Sequence, residues 1–531
     1  MTTVRRIALG TDHGGYEIKQ RLVEALAAMG LQPIDCGSHT PDSCDYPVFA
    51  KRVAAAVSGG AADMGVLLCK SGNGMAITAN RFDNVRAGLA ATPHEAALTR
   101  QHNASNVLVL GGEELTSDPV EIVKAFLDAE PESGRHARRV GMIRELDTLS
   151  RSKAGTHKLR RAEVQPWLDD LGAELIESGR LQALVEDGHI LGLTSNPSIF
   201  QKSIAGGKAS YPQALEALRQ KGATRTEAYD DLIGHDIRRA CDILRPLYDL
   251  SEADEGFVSL EVPPALAHDA DATVAEAQRL RALIDRPNLM IKVPGTEAGL
   301  RAFRRLIADG AHVNVTLLFS EAQYRAVARA YMDGLRDRAT GGHPVHHVRS
   351  VASVFVSRVD VLANGLIAEK ANSASDAAYK EHLCAAHNQV GLANARRVDR
   401  AFRELFFEGP AFADMASLGA APQRLLWAST GVKDDSLSPT FYVENLTGHF
   451  TVNTMPMDTL EAAIASHDIT PGLISAAGQA AEGLLAIPPD RGGLALEAMG
   501  QQLQDEGLKK FADAFDGLMA TLDKKLAGAV H

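Results

Sequence analysis

The chain has 531 residues, 45% of them hydrophobic and 23% charged, which predicts a soluble globular protein with room for large cores. At roughly 150 residues per domain it should hold two to four domains, or two if one is a barrel of about 250 residues or more. A net charge of −12 speaks against a nucleic-acid or anionic-membrane surface, so an anionic substrate must be held by local cations.

From Arg5 to about Gly112, short apolar runs alternate with helical patterns. The runs are 6–10, 31–35, 66–69, 85–89 and 107–110, and Ile18, Leu22 and Leu26 recur at helical spacing between the first two. This predicts a Rossmann-like, doubly wound parallel sheet with helices on both faces. Ligands of such sheets collect at the C-terminal ends of strands. Thr11-Asp12-His13-Gly14-Gly15 and Lys70-Ser71-Gly72-Asn73-Gly74 follow the first and third runs. The basic stretch DTLSRSKAGTHKLRR has no sustained apolar period, so residues 150–162 are expected to link a domain of 1–149 to one of 163–531. Beyond it come eight candidate strands: VQPWLD, HILGLT, FVSLEV, NLMIKV, HVNVTLLF, VRSVASVFV, RLLWAS and HFTVNT. Eight βα units predict a (β/α)8 TIM barrel, with chemistry at its C-terminal strand ends. The segment LKKFADAFDGLMATLDKK reads as a closing amphipathic helix.

The five cysteines, Cys36, Cys44, Cys69, Cys241 and Cys384, show no CxxC spacing, which predicts neither a disulfide framework nor a zinc site. The opening MTTVRRIALGTDHGG turns polar too early for a signal-peptide core, and no run approaches the ~18 apolar residues of a membrane span. A reducing cytoplasm is the expected compartment.

In the first domain, Cys69 closes a buried run and is followed by a Gly-rich turn. Successive backbone N–H groups there would form an anion nest, beside which a thiolate is stabilised and can act as a base. The competing reading is a small buried cysteine ahead of a phosphate-type loop. ALGTDHGGYEIK, DCGSHTPDSCDYP, LLCKSGNGMAITANR and TRQHNASNVLVLGG together resemble ribose-5-phosphate isomerase type B and its relatives, from about Arg5 to Leu149. The resemblance implies a homodimer with sites built from two chains. It implies that Cys69 removes the C2 proton to give a cis-enediolate, that the amides of Ser71, Gly72, Asn73 and Gly74 form the oxyanion hole, and that Ser71 helps move the proton. Asp12 and His102 would assist ring opening, while His13, Arg135 and Arg139 are candidates for phosphate. Alternatively, His102 caps a helix and RHARR is a solvated basic face. One branch of the family uses a glutamate four residues after Ser71, where this chain has Met75, which leaves Cys69 as the base. Many members carry an arginine where this chain reads Gly111-Gly112-Glu113. Either Lys70 or the 135–139 cluster offsets that carboxylate, or the substrate is another sugar phosphate.

In the second domain, Lys292 sits inside the apolar run NLMIKVP. Burying an ammonium lowers its pKa and makes it a nucleophile able to form a Schiff base. The alternative is a structural lysine paired with a carboxylate such as Glu261. Asn314 and Thr316 are two apart on one run, as are Ser259 and Glu261, so each pair faces one side of its strand. WLDDLG, TSNPSIFQK, SLEVPPALAHD, NLMIKVPGTEAG, VNVTLLFS, SVASVFVSRVD and LWASTGVKD resemble, in order, the transaldolase family from about Val164 to the C-terminus. That resemblance implies that Lys292 forms the Schiff base and that Asp169 takes the C4 hydroxyl proton. Glu261 and Thr316 would hold a proton-shuttling water. Asn196 and Asn314 would bind the dihydroxyacetone portion, with Ser353 in the pocket and Arg358 and Ser429 on phosphate. Asn196-Pro197 could instead be a turn, and Arg358 could pair with Asp360. Many relatives end the seventh-strand block with Ser-x-Arg; here Lys433 is expected to take that second phosphate role as a point charge. No metal or cofactor is expected.

The sequence therefore reads as a bifunctional enzyme of the non-oxidative pentose phosphate pathway acting on sugar phosphates. A hexose 6-phosphate (allose or galactose) isomerase or a non-catalytic dimerisation or sensing module remains open for the first domain. A fructose-6-phosphate aldolase remains open for the second.

Overall fold

A computed structural model of the chain describes residues 5–82, 84–113, 115–206, 211–467, 469–470 and 472–528, apart from the side chains of 147–151. Residues 1–4 of the opening stretch lie outside the described residues. The chain divides into two compact units, Met1–Arg151 and Ser152–His531.

The first unit is a parallel sheet of β1 (Arg6–Thr11), β2 (Gln32–Asp35), β3 (Met64–Cys69), β4 (Ala87–Leu89) and β5 (Val107–Gly111), in the order β2-β1-β3-β5-β4. The apolar runs are continuous because both faces are covered. Ile7, Leu9, Val66, Leu68, Leu108 and Leu110 pack with Leu22, Leu26, Ile122 and Phe126 on one face. Ala8, Leu67, Cys69, Val107 and Val109 pack with Ala50, Val53, Met75 and Ala79 on the other. Register pairs Thr11 with Leu68 and Cys69 with Gly111, so the C-terminal ends of β1, β3 and β5 are level.

The second unit is a closed, eight-stranded parallel barrel. Its strands are β6 (Val164–Asp169), β7 (Gly192–Thr194), β8 (Phe257–Glu261), β9 (Leu289–Pro294), β10 (His312–Leu318), β11 (Ser350–Phe355), β12 (Arg424–Ala428) and β13 (Thr451–Met455). Every strand read from the sequence is present. One row of register runs Glu261–Lys292–Asn314 across β8, β9 and β10, which aims three polar side chains to the same side of the sheet. The closing helix is longer than the segment singled out above. It spans Leu496–Leu526 and packs along the helix Pro197–Ala205 and against β10.

Much of the stretch read as a linker is helical, and the division between the units falls inside it. The helix Arg135–Arg151 ends the first unit, and Gly155–Arg161 is a short helix inside the second, with Leu159 fully buried. Its basic residues are spent on backbone carbonyls: Lys158 Nζ donates to His467 O, and Arg160 to Gly188 O at 3.2 Å. A seven-residue helix with one buried leucine leaves no apolar period to read. No helix among the described residues is long and apolar enough to cross a membrane.

Candidate active sites

Lys292 Nζ lies 3.3 Å from Glu261 Oε2, and each side chain is only 6% exposed. The ammonium also donates to the Ser195 carbonyl at 3.2 Å and sits 5.5 Å from the centre of the Phe511 ring. Burial pushes the Glu261 carboxyl up, against the pull of Lys292 and Arg358. Such a group exchanges protons nearer neutrality than an ordinary glutamate. Thr316 Oγ1 is buried without a hydrogen bond among the described residues, so it is open to a ligand's polar group, whereas buried Glu261 Oε2 has the Lys292 ammonium as its ion-pair partner. The paired-lysine reading and the catalytic reading thus describe the same residue.

Lys292 opens into a cavity of about 350 Å³. Asp169 lines it and Asp170 does not. Asp169 Oδ1 accepts from Thr194 Oγ1 at 2.7 Å, and that hydroxyl lies 2.8 Å from Thr454 Oγ1. Burial, then the Asp169 charge, pushes the Asp170 carboxyl up. Asn196 both caps and lines: its Oδ1 accepts from Ser198 N and Ile199 N at 3.1 and 3.2 Å while the residue borders the cavity. Asn314 is fixed by Ser353 Oγ, which donates to its Oδ1 at 2.7 Å, and by its own Nδ2 donating to Ser259 Oγ at 3.2 Å.

Arg358, Ser429 and Lys433 all border the same cavity. Arg358 does not pair with Asp360, whose carboxylate instead accepts from Gly391 N at 2.7 Å and Tyr442 OH at 2.9 Å. Its guanidinium lies over the Phe355 ring at 4.9 Å; burial pulls its pKa down, with Asp169 and Glu261 opposing. Ser429 holds a left-handed backbone, φ +55°, and its hydroxyl meets that of Ser357 at 2.9 Å. A non-glycine residue in that region stores strain of about 1–3 kcal/mol, which is found where a side chain must be aimed. Sequence reasoning missed several lining residues, among them Thr194, Thr454, Lys202 and Phe511. The two threonines stood at predicted strand ends. Lys202 lay six residues beyond Asn196, and nothing local marked Phe511.

In the first unit, the Gly72 N–H donates to Cys69 Sγ at 3.1 Å, and Cys69 is 6% exposed. Gly72 has φ +76°, a left-handed conformation that favours glycine. Ser71 is exposed, Asn73 and Gly74 open the helix Asn73–Ala79, and Met75 is fully buried in the core. Asp12 is buried and accepts from Gly14 N at 2.9 Å; His13 Nδ1 accepts from Cys44 N at 3.4 Å. A Cβ on Gly14 would lie 2.8 Å from Lys70 Cγ, so the loops after β1 and β3 touch. Lys70 Nζ reaches Glu113 Oε1 at 3.4 Å, an exposed pair.

The remaining residues singled out from the sequence lie elsewhere. His102 ends the helix Pro93–Asn103, four residues before Asn106, whose carbonyl accepts from Gly65 N at the start of β3. Cys69 is at the far end of that strand, roughly 13 Å from Gly65 at about 3.3 Å per residue. His102 stacks on His136, ring centres 4.0 Å apart, and Arg135 Nε donates to His136 Nε2 at 3.0 Å. Burial, then His102 and Arg135, pull the His136 pKa down. Arg139 is exposed on the same helix. One copy therefore holds Asp12, His13, Cys69 and Ser71 at one end of its sheet and His102, Arg135 and Arg139 towards the other.

Residues 166–522 match the family described as Transaldolase/Fructose-6-phosphate aldolase, and residues 7–143 match the one described as Ribose/Galactose Isomerase. Transaldolase 2 of Nostoc sp. is 40% identical over 361 residues, 68% of this chain and 94% of its own. Transaldolase 1 of Streptomyces avermitilis is 41% identical over 382 residues, 72% of this chain and 98% of its own. Among solved structures, ribose-5-phosphate isomerase B of Clostridium thermocellum is 39% identical. It covers 27% of this chain and 97% of its own, with a TM-score of 0.27.

Proposed function

This chain belongs to the transaldolase/fructose-6-phosphate aldolase family and carries an isomerase-family domain ahead of its barrel, and on that premise we propose that it is a bifunctional enzyme of the non-oxidative pentose phosphate pathway. The observation that carries the barrel's half is the buried Lys292–Glu261 pair, whose lysine lines a cavity that Asp169 and Arg358 also line.

Lys292 passes its proton to Glu261 and attacks the ketose-phosphate carbonyl as a free amine. Loss of water from the carbinolamine, with Glu261 and Thr316 handling protons, leaves a protonated imine. Asp169 takes the C4 hydroxyl proton. The C3–C4 bond breaks, its electrons flow into the imine, and an aldose phosphate departs. The resulting enamine of dihydroxyacetone stays on Lys292, held through Asn196, Asn314 and Ser353, until a second aldose phosphate accepts it. Arg358, Ser429 and Lys433 hold the phosphate. The imine is the electron sink, so the scheme calls for no cofactor.

In the first domain, Cys69 Sγ removes the C2 proton of the opened ribose 5-phosphate. The amides of residues 71–74 stabilise the cis-enediolate, a contribution of several kcal/mol in comparable sites. Ser71 relays the hydroxyl proton, and C1 is reprotonated to give ribulose 5-phosphate. Asp12 and His102 open the furanose; His13, Arg135 and Arg139 hold its phosphate. These groups stand at opposite ends of one sheet, which supports a homodimer in which each site takes Cys69 from one copy and His102 from the other. A two-fold axis then makes two equal sites. The Lys70–Glu113 pair offsets the carboxylate that argued against ribose 5-phosphate. Sugar-phosphate substrates support a cytoplasmic location.

Purified full-length protein is tested for both reactions, with Cys69→Ala and Lys292→Ala alongside. Each variant should lose one activity and keep the other. Loss of both in either variant, or neither activity in the wild type, overturns the reading.

A further inference from the structure

The cluster around His102 has a donor set that ring opening does not use up. Glu132 lies in the segment ahead of the helix Arg135–Arg151, and its backbone N–H donates to the Gln101 carbonyl at 2.8 Å. That bond holds the residue beside His102. His136 follows in the first turn of the helix, its ring stacked on His102 with the planes 15° apart. Both rings present Nε2 to the same Glu132 oxygen, at 4.0 Å from His102 and 3.6 Å from His136. One ligand atom from each of the three residues lies within 4.8 Å of the others. Because Arg135 Nε–H donates to His136 Nε2, that nitrogen carries a lone pair, not a proton.

Two imidazoles and one carboxylate are the donors that zinc and its neighbours prefer. Bonds of about 2.0–2.1 Å around a tetrahedral centre put ligand atoms roughly 3.4 Å apart. The nitrogens and oxygen here must close by no more than about 1.5 Å to reach that spacing. The Glu132 and His102 side chains are 49% and 36% exposed, which leaves space around them for that movement. Three protein ligands leave a fourth position for water. Within one copy the cluster stands apart from the loops after β1 and β3.

We propose that His102, Glu132 and His136 bind one zinc-class divalent cation, which displaces Arg135 from His136 and shuts off the isomerase while the transaldolase runs on. Coordination takes the His102 lone pair that ring opening needs and moves a phosphate-binding guanidinium. The shut-off rests on the isomerase reading of His102; the binding does not.

Zinc is titrated into full-length wild type and Glu132→Gln near neutral pH, in competition with a chromogenic chelator. Both activities are followed at each point, relative to each protein's own zinc-free rate. The Gln variant should bind zinc at least about 10-fold more weakly, as losses of groups that support a metal site do. Its isomerase inhibition should shift by the same factor, with transaldolase unaffected in both proteins. Cobalt(II) bound to the wild type should show no thiolate charge-transfer band. Equal affinity and equal inhibition in the two proteins, or a thiolate band, would assign the effect to a cysteine such as Cys69 and overturn the site. Zinc bound with the isomerase undisturbed overturns the shut-off. A wild type with no isomerase activity even without zinc would count against the isomerase reading, and the affinity comparison would still decide the site.

Discussion

Glu261 on β8 and Lys292 on β9 are register partners whose charged ends meet at 3.3 Å inside a barrel that nearly excludes water from both. A buried ion pair is a weak source of stability, because desolving two charges offsets most of their attraction. Burial pushes the Glu261 carboxyl up against the pull of Lys292, which suits it to carry a proton. Glu261→Gln keeps the shape and removes the proton carrier. Imine formation in a single turnover should slow by about 10²–10⁴-fold. Stopped-flow detection of the imine checks this, and an unchanged rate would take Glu261 out of the proton path.

The proposed phosphate end pairs a half-buried fork, Arg358, with an exposed point charge, Lys433. Arg358→Ala removes the half-buried cation that faces Asp169 and Glu261, so both kcat and KM for fructose 6-phosphate should suffer. Lys433 stands exposed at the rim. Lys433→Ala should raise KM several-fold with kcat nearly constant, and Lys433→Arg should restore it. Steady-state kinetics on the three variants separates the roles; a kcat loss in Lys433→Ala would place that residue deeper in the chemistry.

Cys69 and His102 lie near opposite ends of β3, and a shared site makes a sharp demand on mixtures. Cys69→Ala and His102→Ala should each be nearly inactive as isomerases. Unfolded and refolded together, they should regain up to about a quarter of wild-type activity, since half the dimers are hybrids with one intact site of two. Mixtures no more active than their components would mean that each copy completes its own site.

Asp360 makes stability depend on pH. Burial raises its carboxyl from an ordinary 3.8 to about 6, against the pull of the Gly391 amide and the Tyr442 hydroxyl. The folded state holds this proton more tightly than the unfolded chain does. Its contribution is complete below about pH 4 and is lost as pH rises through about 6, a change of ~3 kcal/mol. Asp360→Asn should gain on the wild type by about that amount over this window. Trp167 and Trp427, the only tryptophans, both lie on barrel strands, so urea unfolding followed by their fluorescence reads this domain alone. A gap between the two proteins that stays flat with pH would refute the assignment.

Strands and strand ends were legible because a fully buried parallel strand writes a continuous apolar run, and a polar residue that interrupts it is conspicuous. Lys292, Glu261, Asn314 and Thr316 were visible on those grounds. Thr194 and Thr454 were not, because a threonine ending a strand costs nothing and signals nothing. Phe511 reaches Lys292 from a helix more than two hundred residues downstream, and an amphipathic pattern does not say which element it will cover. Residues 150–162 read as a linker because a helix whose long basic side chains bond to carbonyls of distant loops leaves no periodic trace. His102 and Cys69 came from adjoining motifs, yet the return of a helix antiparallel to its strand carries them to opposite ends of the sheet.

Trapping tests most directly whether Lys292 carries the substrate. The full-length protein is incubated with fructose 6-phosphate, reduced with borohydride, digested and weighed by mass spectrometry. The account requires a reduced dihydroxyacetone adduct on the peptide holding Lys292, and none in Lys292→Ala. An adduct on another lysine, or transfer activity surviving in Lys292→Ala, would contradict it.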